Sequence, residues 1–225
     1  MNAQSVTRRI SRIPLIRPDI LNVYLVGGVL IDSGGRLARR RLLRFLEGQD
    51  LTSHALTHAH PDHQGCSAFV CKRFGIPLLC GRGDREAQET GNFERLMPRP
   101  ESLISRLSGG LCGPPHPVSR VLEEGDEMGG LTVIETPGHT PGHLSFWEKK
   151  EGVLILGDVL FHRNPVTLRE GLAEPFRFAT FDREANLASA RKLAALEPRI
   201  VCFGHGVPLK DGRKFSRFVE SLPES

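Results

Sequence analysis

The stretch THAHPDHQG, which begins at residue 57, places three histidines and an aspartate within six positions. In an extended segment residues i and i+2 project to the same side, so His58 and His60 can face one ion. Pro61 forces a turn and suits the first position of a following helix. On that turn, Asp62 and His63 can face a second point close by. The spacing HxHxDH therefore predicts two adjacent metal sites on one loop.

Three later segments each place one potential ligand directly after an apolar strand. TPGHTPGH carries His139 in a loop defined by glycine and proline, LILGD ends in Asp158, and VCFGHG carries His205. Imidazoles and carboxylates are the ligands expected for zinc or another first-row metal. One histidine after a strand is more often a surface or capping residue, but this context recurs too regularly to be a coincidence. The predicted metal ligands are His58, His60, Asp62, His63, His139, Asp158 and His205.

Composition indicates an ordinary globular protein. The 225 residues suffice for one good-sized core, and hydrophobic and charged fractions of 39% and 25% are typical of a soluble domain. Five cysteines without a CxxC pair are expected to be buried small side chains rather than disulfides or a zinc knuckle. No apolar run approaches the roughly 20 residues that span a bilayer, and no secretory signal is recognisable. We therefore expect a cytoplasmic protein with no membrane partner.

The order of apolar segments predicts alternating strands and helices. Residues 1–20 are predicted to be a loosely structured lead-in and residues 21–225 a single domain. Two short apolar runs around Gly27-Gly28 predict a hairpin. The basic run Arg36–Arg44 has leucines at helical spacing, which indicates the solvated face of an amphipathic helix. A site for single-stranded nucleic acid would need stacking aromatics there, so no nucleic-acid partner is expected. The oligomeric state leaves no readable trace.

Two irregular stretches, residues 81–117 and 161–181, interrupt this pattern. Long, weakly patterned inserts are typical of a lid or rim rather than a core. By position, Phe93 and Met97 in the first stretch and Phe176 and Phe178 in the second would form pocket walls. Packing of each loop for its own stability explains any one of these residues equally well. The substrate-binding residues are therefore unassigned.

HAHPDH, TPGHTPGH, an aspartate after an apolar strand and a late GHG together resemble the metallo-β-lactamase superfamily. The resemblance extends from Asn22 to about His205. It implies an α/β fold, the αββα four-layer sandwich, in a single domain. By resemblance, the first metal would be held by His58, His60 and His139, and the second by Asp62, His63 and His205, with Asp158 as the bridge between them.

The implied cofactors are two divalent metal ions, with zinc expected and iron or manganese as alternatives. Two such ions lower the pKa of a shared water, and the resulting bridging hydroxide would attack a carbonyl. Asp62 is the expected catalytic residue, which would orient the hydroxide and pass a proton to the leaving group. His143 either orients a ligand, as metal-binding imidazoles usually require, or serves the turn. We expect His54, His116 and His162 to be surface or structural residues.

Individual residues narrow the reaction that the resemblance implies. Asp158 argues against antibiotic-degrading members, which typically lack this carboxylate, and His60 argues against the diiron flavoproteins, which usually have glutamate there. The motif GDVLF is similar to glyoxalase II-like thioester hydrolases, although we expect their C-terminal glutathione-binding domain to be missing. TPGHTPGH matches acyl-homoserine lactonases equally well. Those enzymes use a tyrosine downstream of the bridging aspartate, whereas the single tyrosine here is Tyr24.

The sequence thus predicts a dinuclear metal-dependent hydrolase of a carboxylic ester, thioester or lactone, with a small-molecule substrate that it does not identify. The alternative is a mononuclear iron persulfide dioxygenase of the same fold, whose second metal pocket would stay empty. The intact ligands of that second pocket favour the hydrolase. They also disfavour a non-catalytic binding module, because such members tend to lose ligands.

Overall fold

The computed structural model describes residues 3–223, apart from the side chains of Ile104 and Ser108. Its first sheet has seven strands in chain order: β1 (Gln4–Ser5), β2 (Ile10–Ile16), β3 (Leu21–Val26), β4 (Val29–Ile31), β5 (Ser53–Ala55), β6 (Leu78–Gly81) and β7 (Arg120–Leu122). The second sheet contains β8 (Glu127–Met128), β9 (Leu131–Glu135), β10 (Leu144–Glu148), β11 (Val153–Ile155) and, beside β11, β14 (Ile200–Cys202). Two further strands lie between β11 and β14 in sequence, namely β12 (Phe161–Arg163) and β13 (Glu170–Ala173), and they form a separate antiparallel pair.

The α-helices are short, from four to twelve residues. They are α1 (Arg39–Leu46), α2 (Pro61–Gln64), α3 (Ser67–Phe74), α4 (Arg85–Thr90), α5 (Leu103–Gly109), α6 (Arg183–Ala194) and α7 (Gly212–Glu220). Short 3₁₀ turns occupy Arg36–Ala38, Arg82–Asp84, Phe93–Leu96 and Arg177–Ala179. Within residues 3–223 no helix is long and apolar enough to cross a bilayer.

Three apolar clusters establish four layers. In β3, Val23 packs in the cluster that includes Leu42 of α1 and Val70 of α3, whereas its neighbour Tyr24 packs against the second sheet. In β11, Ile155 faces the first sheet and Leu154 belongs to the cluster of α6 and α7. Successive strand residues point to opposite faces, so a strand covered on both faces is apolar throughout. The predicted αββα sandwich in one domain is confirmed.

The hairpin and the basic helix are also confirmed. β3 and β4 pair with Val26 opposite Val29, and the two turn glycines between them have φ values of 53° and 84°. Positive φ at both turn positions is what a two-residue hairpin requires, and glycine adopts it without strain. α1 buries Leu42 and Leu46 under the first sheet. Leu37 lies in the preceding 3₁₀ turn and is 99% exposed, so the helix is shorter than its leucine pattern.

Residues 10–16 differ from the expected loosely structured lead-in. They form β2, which pairs with β3 from Ile10 opposite Val26 to Ile16 opposite Leu21. Pro14 interrupts the apolar pattern in the sequence, but it lies next to a register shift, where a sheet tolerates proline. The first sheet therefore begins before residue 21.

All five cysteines are buried, as expected for small apolar side chains. Burial raises the thiol pKa to about 12 for Cys66, Cys71 and Cys202. They contribute volume to two of the three apolar clusters rather than ligands to a metal site.

Candidate metal centre

The predicted ligands follow the carboxyl ends of four strands. His58 and His60 follow β5, His139 lies in the loop between β9 and β10, Asp158 follows β11, and His205 follows β14. β11 and β14 run parallel, so their carboxyl ends lie at the same edge of the sheet. Ligand sites in α/β proteins commonly form at such an edge. The chain thereby gathers residues from both sheets at one place.

The turn after His60 folds as its sequence indicates. Pro61 is the first residue of α2, and His60 precedes it with the extended backbone angles φ −68° and ψ 156°. A proline is tolerated at this position because the first helical N–H has no intrahelical partner. The short helix then carries Asp62 and His63 on a segment separate from the two preceding histidines.

All seven predicted ligands lie together. Three groups offer ligand atoms that lie within 4.8 Å of one another: His58, His60 and His139; Asp62, His63 and His205; and His58, His63 and Asp158. The first two groups are the two sets that the resemblance implies. Within the first, Nδ1 of His60 lies 3.0 Å from Nε2 of His139.

Asp158 lies between the two sets. Its Oδ2 atom is 3.0 Å from Nε2 of His205, 3.4 Å from that of His63, 3.7 Å from that of His139 and 4.0 Å from that of His58. The side chain is almost fully buried. One carboxylate oxygen within 4 Å of both sets is the arrangement that a bridging ligand needs.

Hydrogen bonds fix the tautomers of His58 and His63. Thr57 Oγ1 donates to Asp32 Oδ2 over 2.8 Å, so it accepts from Nδ1 of His58 at 3.0 Å. The same Asp32 oxygen accepts from Nδ1 of His63 at 2.8 Å. With Nδ1 engaged as a donor, each ring turns Nε2 towards the centre, and this atom offers a lone pair when the ring is neutral. Such carboxylate–histidine pairs typically orient metal ligands.

His139 and His205 are held in the same way. Thr180 Oγ1 donates to the carbonyl of Phe176, so it accepts from Nδ1 of His139 at 3.3 Å. Nδ1 of His205 donates to the carbonyl of Ile20. Both rings therefore direct Nε2 at Asp158 and its neighbours.

The polar atoms that face the centre fit a metal. Within residues 3–223, Nε2 of His58, Nε2 of His63 and Oδ1 of Asp158 are buried without a hydrogen-bond partner. Leaving buried polar atoms unpaired costs about 1–3 kcal/mol each, so such a cluster needs a ligand to compensate it. Imidazole nitrogen with carboxylate oxygen is a donor set suited to zinc, iron or manganese.

The two sets differ in electrostatics. Burial and then the neighbouring imidazoles hold the pKa values of His58 and His139 well below the ordinary value, so both are neutral at neutral pH. Burial also disfavours the charged form of His205, but Asp158 and Asp62 outweigh it and raise its pKa to about 10. In turn, burial opposes ionisation of Asp158, yet His205 and His63 hold its pKa well below its usual range. Without metal, the second set balances carboxylates with imidazolium groups.

His143 supports Asp158 rather than joining the ligands. Its Nε2 accepts from the backbone N–H of Asp158 at 3.1 Å, and its Nδ1 therefore donates to Thr136 Oγ1 at 2.8 Å. Two glycines allow this packing. A Cβ on Gly157, whose φ is 62°, would lie 2.7 Å from Nε2 of His143, and one on Gly204 would lie 2.1 Å from Oδ1 of Asp158. Larger residues at either position would displace the carboxylate.

The remaining histidines lie outside the ligand groups. His54 is fully buried and bonds through Nδ1 to the carbonyl of Leu30 and through Nε2 to Ser67 Oγ. His162 is also buried and bonds to the carbonyl of Val207. His116 lies at partial exposure in the stretch before β7. The first two are thus structural residues of the interior, not surface residues.

Sequence reasoning missed two aspartates that support the ligands. Asp32 follows β4 and orients His63 directly and His58 through Thr57. Asp84, fully buried after β6, accepts hydrogen bonds from Ala59 N, Thr140 Oγ1 and Gly142 N. The signal that identified Asp158, a carboxylate shortly after an apolar strand, applies to both and would have found them.

Comparison with known proteins agrees with this fold. The model of the metallo-beta-lactamase superfamily matches residues 16–205, and the chain belongs to this superfamily. A protein of Bacillus subtilis (strain 168) named probable metallo-hydrolase YflN is 29% identical, over 91% of this chain and 87% of that protein. Hydroxyacylglutathione hydrolase GloC of Haemophilus influenzae is 30% identical, over 79% of each protein.

Solved structures show the same architecture. TTHA1623, in a di-iron-bound form, has a TM-score of 0.68 and 28% identity, and the match covers 88% of this chain and 94% of that one. The B3 metallo-beta-lactamase BLEG-1 has a TM-score of 0.70 and 30% identity, over 93% of this chain and 99% of that one. The relatives therefore include proteins with metal centres and proteins named for different reactions.

Proposed function

We propose that the chain is a dinuclear metal-dependent hydrolase of a carboxylic ester, thioester or lactone. The observation that carries this proposal is the locking of four imidazoles, His58, His63, His139 and His205, with Nε2 directed at one carboxylate. A core histidine with no metal role has no need of this common direction. In a metal-dependent hydrolase, this arrangement would hold the four Nε2 atoms in position before a metal binds.

The ligand sets divide the work between two ions. His58, His60 and His139 would hold one ion, Asp62, His63 and His205 the other, and Asp158 both. A bound pair of divalent ions supplies activation of water near neutral pH and polarisation of a carbonyl oxygen. We propose zinc as the metal, with iron and manganese as the alternatives.

Asp62 is suited to proton transfer. Its side chain is 47% exposed, whereas that of Asp158 is 4% exposed. Oδ2 of Asp62 also lies 3.3 Å from Nε2 of His205. A carboxylate that both borders the centre and faces solvent can accept a proton from a nucleophilic water and release it to a leaving group.

Among the three substrate types, the thioester or ester has more support than the lactone. Tyr24 is 1% exposed, and its hydroxyl donates to the carbonyl of Phe203 at 2.7 Å. It therefore cannot stabilise a lactone oxyanion in the role that a tyrosine has in acyl-homoserine lactonases. The similarity to GloC adds support for a thioester.

Metal analysis and an activity panel test the proposal together. We expect about two metal ions per chain and hydrolysis of at least one member of a panel of thioesters, aryl esters and lactones. β-Lactams and phosphodiesters serve as the negative arms of the panel. One iron per chain with oxygen uptake on a persulfide would instead identify the dioxygenase, and the hydrolase proposal would be abandoned.

The variant Asp158→Asn tests the bridging role. It should lower metal occupancy and reduce kcat/KM more than 100-fold, beyond the 10–100-fold typical for residues that only support a ligand. Asp50→Asn, at an exposed carboxylate before β5, is the matched control and should retain both. Full activity of Asp158→Asn with two bound ions would contradict the bridging role.

A further inference from the structure

Two large aromatic side chains beside the metal centre are exposed to solvent. Phe178 and Phe181 are 51% and 45% exposed, in the segment that connects β13 to α6. Single exposed apolar side chains are common, but exposed aromatic rings grouped next to a buried site mark a ligand-binding surface. Their position relative to the ligands indicates what that role is.

A ladder of three rings leads from a ligand to the surface. The ring of Phe161 lies 4.7 Å from that of His205, edge to face, and Phe161 is 3% exposed. Phe176 follows at 5.8 Å from Phe161, and Phe178 stacks on Phe176 at 5.1 Å with an interplanar angle of 12°. Exposure thus increases along the ladder, from the buried ring at the centre to the half-exposed ring at its outer end.

The same segment is attached to the other ligand set. Thr180 accepts from Nδ1 of His139, and the N–H of Phe181 donates to the carbonyl of His139 at 3.1 Å. Residues 176–181 therefore run from the side of His205 to the side of His139. A substrate whose reactive group lies at the metal centre therefore extends either along residues 176–181 or away from them.

Two arginines next to the ladder are neutralised by ion pairs, whereas Arg177, between Phe176 and Phe178 in sequence, is exposed. Arg163 pairs with Glu170 at 2.6 Å, and Arg183 pairs with Glu174 in two hydrogen bonds of 2.7 Å. These arginines are therefore already occupied. The exposed outer end of the ladder, Phe178 stacked on Phe176, offers ring surface to an uncharged, apolar group.

We propose that the aromatic ladder (Phe161, Phe176 and Phe178) is the binding surface for an apolar acyl group, so that the substrate is an ester or thioester of a medium-chain carboxylic acid. This inference rests on the proposed hydrolase function. Burying a methylene group completely changes affinity about fourfold. A surface that covers the chain on one side gives roughly half of that free energy, or about twofold per methylene.

A chain-length series on the metal-loaded protein tests the ladder. With N-acetylcysteamine thioesters from acetyl to decanoyl, kcat/KM should rise about twofold per methylene as far as the octanoyl substrate. In Phe178→Ala, the ratio of kcat/KM for octanoyl to that for acetyl should fall about tenfold, and Phe178→Leu should retain most of the ratio. Phe218→Ala, at a partly buried phenylalanine of α7, is the matched control and should leave the ratio unchanged.

Product binding gives a second readout that does not need turnover. Calorimetry with octanoate should show tighter binding than with acetate, and Phe178→Ala should remove most of the difference. A flat chain-length series, or an unchanged ratio in Phe178→Ala, would overturn the ladder while the hydrolase stands. Absence of hydrolysis of every thioester, ester and lactone would overturn the hydrolase, and calorimetry would then decide on the ladder alone.

Discussion

At the scale of single residues, the hydrogen-bond partners of the two ring nitrogens decide whether a buried histidine is available to a metal. His58 and His54 lie four positions apart, and both are buried. His58 donates through Nδ1 to Thr57 and leaves Nε2 without a partner, whereas His54 bonds through both nitrogens to Leu30 and Ser67. The first ring is available to a metal and the second is satisfied as it stands.

The buried ring of His54 should make the stability of the folded protein depend on pH. Burial lowers its pKa to about 4 from the ordinary 6.5, against a smaller opposing effect of the Leu30 carbonyl. The unfolded chain therefore binds a proton between pH 6.5 and 4 that the folded protein does not. Stability is fully present above pH 6.5 and is lost towards pH 4, by about 2–3 kcal/mol at pH 4.5.

Urea unfolding of the metal-free protein and of His54→Gln at several pH values measures this contribution. The variant should be less stable at pH 7 by about 1–3 kcal/mol, because a bonded core group is lost. Its deficit should shrink or reverse by pH 4.5, since it lacks the titrating ring. A deficit that stays constant across this range would show that His54 titrates normally in the folded protein.

At the scale of elements, Asp84 connects the two loops that carry the first ligand set. One oxygen accepts from Ala59, between His58 and His60, and from Thr140, next to His139, while the other accepts from Gly142. The loop after β5 and the loop after β9 belong to different sheets, and this carboxylate fixes their separation together with the hydrogen bond from Leu144 N to Thr57 O at 2.7 Å.

Asp84→Asn should weaken metal binding at the first set by about 10–100-fold, because the amide group presents N–H where the loops need an acceptor. Chelator competition measures the affinity of the metal-free protein for zinc. Asp211→Asn is the control, since Asp211 also accepts a backbone hydrogen bond, at the start of α7. If Asp84→Asn retained wild-type affinity, the two loops would be held by other contacts.

The strands and loops also show which features could be predicted from the sequence and which could not. A candidate ligand after a strand depends on local patterns, so His139, Asp158 and His205 could be proposed from the sequence, and the hairpin and α1 could be predicted. The partners of those ligands depend on which loops meet in space. Thr180 supports His139 across 41 positions, and nothing in its local sequence indicates that contact. β2 was missed for a related reason, since its proline is acceptable only because of where the strand pairs.

At the scale of the whole molecule, the metal ions would join distant parts of the chain. The ligands extend from His58 in the first half to His205 near the end, and they follow strands of both sheets. An unfolded chain offers no such preformed set. Metal binding should therefore stabilise the folded protein as a whole.

Removal of metal with a chelator should lower the Tm by about 8–16 °C. This range counts one ion, which contributes about 4 kcal/mol at a free concentration 1,000 times its Kd, and a second ion of equal affinity would double it. It assumes 2–4 °C per kcal/mol for a protein of this size. Calorimetric scans with and without zinc measure the change, and Asp158→Asn should show a much smaller one. An identical Tm in both conditions would mean that the ions do not hold the two sheets together.

The buried cysteines have a practical consequence. A thiol reacts with alkylating reagents as its thiolate, and burial keeps Cys71 and Cys202 protonated at neutral pH. The native protein should therefore resist iodoacetamide, and each modified sulfur would record a moment when the interior opened. The rate of alkylation can thus report how often the interior of the sandwich opens to solvent.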